Sequence, residues 1–369
     1  MTKISRGTCK VVSVLGGETL MSPPVWLMRQ AGRYLPEYQA SRRKAESFWK
    51  LCMTPEMAVE VTLQPIARFD FDAAILFSDI LVVPFALGQA VRFEDGIGPV
   101  LDPFPGVDSL TDDPRLWKAR LEPIYEALSG SRSRLASEKT MLGFVGAPWT
   151  LAAYMLETRG SADQKTAKLF AYREPERFKR LIGVLERAVT AHLVAQLRAG
   201  ADAVQIFDSW AGGLPFREFL SWVVEPTKNI VAGVRQHVPD AKIIGFPRAT
   251  TQAGYEAYAR ETGVDAVSID AAQSMSWART AFGGKAALQG NLDPCLLLGS
   301  QERLLKKAEA DPATGQRLPS GSGSLWTLMS ERPETLQHDL FESAQAPVPA
   351  AARVVWTDDY SNLLQLIRL

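Results

Sequence analysis

Several chemistries lack their raw material in this chain. Cysteine is scarce, with three in 369 residues, at Cys9, Cys52 and Cys295. Cysteines this few and this far apart offer neither a disulfide framework nor a metal-ligand spacing. A reducing compartment is the simplest setting, so a cytoplasmic location is expected. The three histidines, His192, His237 and His338, form no His-Glu-x-x-His or His-x-Cys pattern, and no metal or other cofactor is expected. There is no Gly-x-Ser-x-Gly elbow and no convincing Cys–His pairing, which leaves nucleophilic catalysis poorly supported. A Gly-x-Gly-x-x-Gly turn is missing after the early strands, which counts against a dinucleotide-binding sheet. Neither sign of charge is in excess, with 41 basic and 41 acidic residues, so neither nucleic acid nor a membrane surface is an expected partner. Apolar runs long enough for a membrane helix or a signal peptide are also missing.

What is present is a large apolar inventory, 46% of residues against 22% charged. Short apolar runs at 25–28, 73–77, 141–145, 203–207, 242–246, 266–269 and 286–288 read as buried strands. Helical patterns lie between them. Phe178, Leu181, Ile182, Leu185, Ala188, Val189 and His192 recur at i, i+3, i+4 spacing, with Pro175 suited to the first turn and Gly200 to the cap. A second pattern, 216–238, contains Pro226 and should be kinked or split there. A third, 55–69, contains Pro65, which should disturb its last turn. Gly and Pro interrupt 91–105, which reads as a hairpin or loop excursion. Strands and helices in this alternation, with polar residues at the strand ends, suggest a (β/α)8 TIM-type barrel, although an open doubly wound sheet would show much the same alternation.

Each strand run ends in polar or glycine residues, and a barrel gathers such residues on its C-terminal face. Arg29 and Arg33 follow the first run, four apart, separated by Gly32. An arginine at the end of a buried strand needs an anion, and its planar fork matches a carboxylate. The bland reading is two surface arginines, each paired with a carboxylate. Pro36 should stop a helix from running on. Asp79 and Asp208 end later runs, where an aspartate also commonly caps the next helix. Ser209 alone reads as a turn residue, and Tyr154 in Leu151-Ala-Ala-Tyr-Met155 as a core helix residue. Arg248 follows the fifth run. His192 reads as a packed side chain, and His237 as a residue favouring a helix end.

Trp26-Leu-Met-Arg-Gln-Ala-Gly-Arg-Tyr-Leu-Pro-Glu-Tyr38 closely resembles the N-terminal signature of the uroporphyrinogen decarboxylase family. Phe77-Ser-Asp-Ile-Leu-Val-Val-Pro84, Gly146-Ala-Pro-Trp-Thr-Leu-Ala-Ala-Tyr154, Phe207-Asp-Ser-Trp-Ala-Gly212 and Gln289-Gly-Asn-Leu-Asp-Pro294 resemble further segments of that family. The resemblance covers roughly 24–294. It implies a single-domain barrel, a homodimer, and cofactor-independent removal of four acetate carboxyls from uroporphyrinogen to give coproporphyrinogen. It implies Asp79, Arg29 and Arg33 as catalytic. It implies Arg29, Gln30, Ala31, Gly32, Arg33, Asp79, Tyr154 and Ser209 as substrate-binding, and no metal.

The family's closing Asn-Leu-Gly-His-Gly, with its rim histidine, is absent. After about Lys306 the composition changes, with Ser320-Gly-Ser-Gly-Ser324 and a Pro/Ala stretch at 344–352. The chain is therefore expected to divide into a barrel, 1–306, and an irregular tail, 307–369, that supplies no regular eighth strand. Ser324-Leu-Trp-Thr-Leu-Met329 and Val354-Val-Trp356 are weak substitutes for that strand. Two other functions stay open at this point. One is a zinc-dependent corrinoid methyltransferase on a related barrel. The other is a tetrapyrrole-binding barrel whose activity is impaired by the altered C-terminus.

Overall fold

The computed structural model describes residues 9–20, 23–94, 97–282 and 284–293, together with the backbone of 324–328. Eight parallel strands form one sheet: β1 (Val25–Leu27), β2 (Ala73–Ile75), β5 (Thr140–Gly146), β6 (Ala203–Asp208), β7 (Ile243–Pro247), β8 (Ala266–Ser268), β9 (Ala287–Gln289) and β10 (Ser324–Leu328). The remaining two, β3 (Val91–Glu94) and β4 (Gly98–Leu101), pair antiparallel as the expected hairpin. All seven runs read as strands are strands, offset at their ends by one or two residues. The sheet order is β1-β10-β9-β8-β7-β6-β5-β2. Its two end strands meet: the Asp72 N–H donates to the Val25 carbonyl (2.9 Å), and the Asp72 carboxylate accepts the Val25 N–H (2.7 Å). The sheet thus curls into a barrel.

One expectation fails here. The composition of the tail predicts no regular eighth strand, yet Ser324–Leu328 pairs parallel with both β1 and β9, with Val25 opposite Trp326 and Leu288 opposite Ser324. Between them β1 and β9 present two open rows of backbone donors and acceptors, and a short segment with a β-branched residue and an aromatic can fill that gap. The Gly/Ser run that looked like disorder ends where the strand begins. The rest of the 307–369 tail, with His338 and 354–356, lies outside the described residues, as does Cys295.

Side-chain alternation sorts the strands into two faces. Trp26, Ile75, Leu142, Phe207, Ile244, Phe246 and Ala266 face inward and share one buried cluster with Val11, Val14 and Leu15 of the short helix Lys10–Leu15. Val204, Ile206, Ile243 and Val267 face outward into the main core beneath the helices. The interior also holds a polar chain. Trp26 Nε1 donates to Gln289 Oε1 (3.3 Å), and Gln289 Nε2 donates to Gln205 Oε1 (3.0 Å) and Ser268 Oγ (2.9 Å).

Helix Pro175–Ala199 starts on its proline, ends at Gly200 in a left-handed turn (φ 117°), and buries the apolar stripe seen in the sequence. The 216–238 pattern contains a π-helical turn, Leu220–Val224, directly before Glu225–His237. Pro226 has no N–H for the Trp222 carbonyl, and the wider turn absorbs that missing bond. Helix Pro55–Phe69 instead runs through Pro65 without a break, to a left-handed Asp70 (φ 56°). Pro36 does not stop a helix but begins one, Pro36–Lys44, since a first-turn residue needs no N–H partner.

Strand β2 is short, so the Phe144 backbone on neighbouring β5 runs past its end. Gln196, on helix Pro175–Ala199, takes over: its amide donates to the Phe144 carbonyl and accepts the Phe144 N–H, both at 2.9 Å. Gly143 makes this approach possible, because a Cβ there would lie 2.5 Å from Gln196 Oε1. Gly143→Ala should displace Gln196 and destabilise the fold by about 1–3 kcal/mol. A urea melt beside the unsubstituted chain checks this, and an unchanged midpoint would contradict the clamp.

Candidate active site

The loop after β1 is pinned to its neighbour before it presents any charge. Gln30 is buried; its Oε1 accepts the Leu27 N–H (3.3 Å), and its Nε2 donates to the Ala73 carbonyl on β2 (3.2 Å). The Tyr34 hydroxyl donates to the Gln30 carbonyl at 2.5 Å. The Gln30 side chain therefore braces the loop. Ala31 and Gly32 lie within the braced turn, partly buried and buried respectively. Arg29 and Arg33 keep accessible side chains.

Asp79 follows β2. Its Oδ1 accepts the Leu81 N–H at 2.8 Å, so the carboxylate is folded back onto its own turn. Burial raises it above the ordinary carboxylate value, while the Leu81 N–H and Arg29 act in the opposite direction. The complementary effect appears at Arg29. Surrounding protein lowers its pKa from the ordinary guanidinium value, opposed by Asp79 and then Tyr154. Arg29 is accessible to water yet ringed by protein, which is the setting of a group facing a hollow. Tyr154, on helix Pro148–Glu157, is pushed up to about 12 by burial and then by Asp79. Asp79, Arg29 and Tyr154, from the ends of β1, β2 and β5, thus lie within one another's fields. Arg33 acts on Tyr38 and is not among the groups that shift Asp79.

Ser209 and Arg248 follow β6 and β7. Arg248 Nη1 reaches the Ser209 carbonyl at 3.4 Å, joining those two strand ends. Asp208 does not belong to this constellation. It is buried on the outward face of β6 and accepts the Thr150 hydroxyl at 2.5 Å. It does not cap the next helix either. Burial pushes it up to about 7, against the Thr150 hydrogen bond. His192 is a packed side chain as expected, bonded to the Tyr125 hydroxyl at 3.0 Å and held down at about 3 by burial.

Several contacts around the site carried no signal in the sequence. Trp210 stacks on Tyr154, with ring centroids 4.1 Å apart and planes 29° apart. Phe77 meets Tyr38 and Phe48 edge-on at 5.7 and 5.6 Å, and Phe48 lies 4.6 Å from Phe93 of the hairpin. Buried Cys52 faces Asp79 closely enough that burial and then the aspartate raise its thiol well above the ordinary value. These contacts join residues from separate strand ends, and a linear pattern cannot express them. Among the described residues no group of three or more His, Cys, Asp and Glu is placed to hold a metal ion. Among them, too, no helix is long and apolar enough to cross a membrane.

The family model described as uroporphyrinogen decarboxylase (URO-D) matches residues 8–316. The chain belongs to the uroporphyrinogen decarboxylase family. Similar proteins of that name occur in Chelativorans sp. (strain BNC1), 48% identical over 81% of this chain and 87% of the relative, and in Rhodospirillum rubrum, 50% identical over 78% and 82%. A Brucella canis relative of the same name is 44% identical over 94% of this chain and 97% of its own length, so likeness to the decarboxylase family reaches into the tail. Among solved structures, a methyltransferase from Methanosarcina mazei superposes with TM-score 0.71 at 16% identity, over 91% of this chain and 98% of that one. That likeness shows the barrel fold alone. Of the residues singled out in the sequence, Arg29, Asp79 and Tyr154 are those whose fields overlap here.

The buried Asp208 has a consequence for stability. Its folded pKa, about 7, lies above the usual unfolded value near 4. The folded state therefore binds the proton more tightly, and this stabilisation is complete below about pH 4 and lost as pH rises to about 7. The melting temperature of the unsubstituted chain minus that of Asp208→Asn should fall across this window. A difference that stays flat with pH would show that Asp208 ionises normally.

Proposed function

We propose that this chain decarboxylates the four acetate side chains of uroporphyrinogen, giving coproporphyrinogen without a cofactor, in tetrapyrrole biosynthesis. The observation that carries this reading is the family membership, with a partly buried carboxylate and an arginine sharing one field at the strand ends. A pyrrole ring can act as its own electron sink. A proton adds to the ring α-carbon beside the β-carbon that bears the acetate. The bond to the carboxylate breaks, its electron pair flows into the ring cation, and carbon dioxide leaves. The exocyclic methylene then takes a proton to become methyl, and loss of the α-proton restores the pyrrole.

The cation is the difficult species. Asp79 accepts hydrogen bonds from the pyrrole N–H groups and stabilises the charge as it develops. Leu81 and Arg29 help keep this carboxylate ionised despite its burial. Arg29 and Arg33 bind substrate carboxylates, and the Gln30 brace, with Ala31 and Gly32, holds them in place. Tyr154 and Ser209 hydrogen-bond further carboxylates. We infer a cytoplasmic homodimer, for which sedimentation at twice the chain mass is the check; a monomer would refute the dimer.

The function is tested by incubating the chain with uroporphyrinogen under exhaustive chelation and separating the oxidised products by chromatography. Coproporphyrin supports the reading. Turnover that depends on a stoichiometric metal favours the methyltransferase alternative, and binding without product favours an impaired barrel. Asp79→Asn should retain the fold and lose roughly 10²–10³ in kcat, the usual cost of removing one preorganised stabilising group. Turnover near that of the unsubstituted chain would remove Asp79 from the mechanism.

A further inference from the structure

Two residues after β6, Trp210 is held from three sides. Thr150, in the first turn of helix Pro148–Glu157, donates its hydroxyl to Asp208 Oδ1 at 2.5 Å and accepts the Trp210 N–H at 3.3 Å. Trp149 Nε1 donates to the Trp210 carbonyl at 3.2 Å. The Trp210 indole lies against the Tyr154 ring at 4.1 Å. Thr150 and Tyr154 are four residues apart, so about one helical turn separates the hydroxyl from the ring.

Thr150, Trp149 and Asp208 are all buried. A hydroxyl has one proton to donate, and here the carboxylate receives it, leaving a lone pair for the Trp210 amide. Removing that hydroxyl would leave Asp208 Oδ1 and the Trp210 N–H short of a buried partner together. The bond sits outside the barrel wall and the stack beside the site, so it couples the core to the position of one site residue.

We infer that Thr150 is a positioning residue, whose two-way hydrogen bond fixes the Trp210 indole and, through the stack, the place of the Tyr154 hydroxyl relative to Asp79 and Arg29. Thr150 itself touches no substrate. The inference rests on the decarboxylase reading of the site. Its force comes from the sensitivity of turnover to geometry, where a displacement of about 1 Å can cost on the order of 10²-fold.

The test is a kinetic cycle. Thr150→Val keeps the shape and removes the hydroxyl; it should lower kcat about tenfold with KM changed less than about twofold, a fraction of the full misplacement cost. Thr150→Ser, which retains the hydroxyl, should recover kcat to within about twofold of the unsubstituted chain. In a Tyr154→Phe background Thr150→Val should add less than about twofold, since residues acting through one another are non-additive. An unchanged kcat in Thr150→Val, even with a lowered Tm, overturns the inference, as does an undiminished penalty in the Tyr154→Phe background. If Thr150→Val does not fold, Trp210→Leu removes the stack and leaves the hydroxyl bond to Asp208; it should show the same loss and the same coupling, and additivity with Tyr154→Phe overturns the inference. If the unsubstituted chain releases no carbon dioxide, the decarboxylase reading fails by itself. Hydrogen exchange at the Trp210 amide then still reads the lock: faster exchange in Thr150→Val supports it, and an unchanged rate overturns it.

Discussion

A parallel sheet brings all its carboxyl ends to one face only when it closes, and closure here depends on the seam around β1. On one side Val25, Trp26 and Leu27 register with Trp326, Thr327 and Leu328. On the other, Asp72 supplies both a donor and an acceptor to Val25. With both edges occupied, β1 has one place to be, and Arg29 inherits its position two residues beyond the strand. The Gln30 amide carries the constraint onward by tying the same loop to β2. The charge at the mouth of the barrel is thus placed by backbone pairing below it.

Burial has opposite uses on the two faces of the wall. On the inner rim, Asp79 and Arg29 are each disfavoured in their charged forms by desolvation and each favoured by the other. A low-dielectric setting strengthens that attraction and makes an isolated charge costly. In the function proposed above, this pair meets a ligand that carries both carboxylates and pyrrole N–H groups. On the outer face Asp208 has no cation among the causes of its shift and is raised to about 7. Its work is to hold Thr150, and through Thr150 the end of β6.

The barrel does not select the chemistry. A methyltransferase shares it at TM-score 0.71 with 16% identity, while relatives near 50% identity carry the decarboxylase name. Function resides in the side chains at the strand ends, which differ between proteins of one fold.

Much was legible in the linear text. Seven strands could be read because apolar runs were bounded by polar residues, and helix Pro175–Ala199 because Pro175 and Gly200 mark its ends. Arg29, Asp79 and Tyr154 could be named as candidates because each lies in a segment that resembles the family. The strand Ser324–Leu328 could be named only as a weak substitute, because a short segment beside a Gly/Ser run has no periodicity of its own and acquires strand character from the open edges of β1 and β9. The outward turn of Asp208 depends on strand parity, which the bare sequence leaves undefined until the register is known. The Gln30 brace, the Gln196 clamp on Phe144 and the Trp210–Tyr154 stack are contacts between distant elements. The sequence by itself determined the alternation of strands and helices and the identity of the charged residues, since both are local properties of the chain. Tertiary structure alone decided which of those residues share a field, because that depends on how the sheet closes.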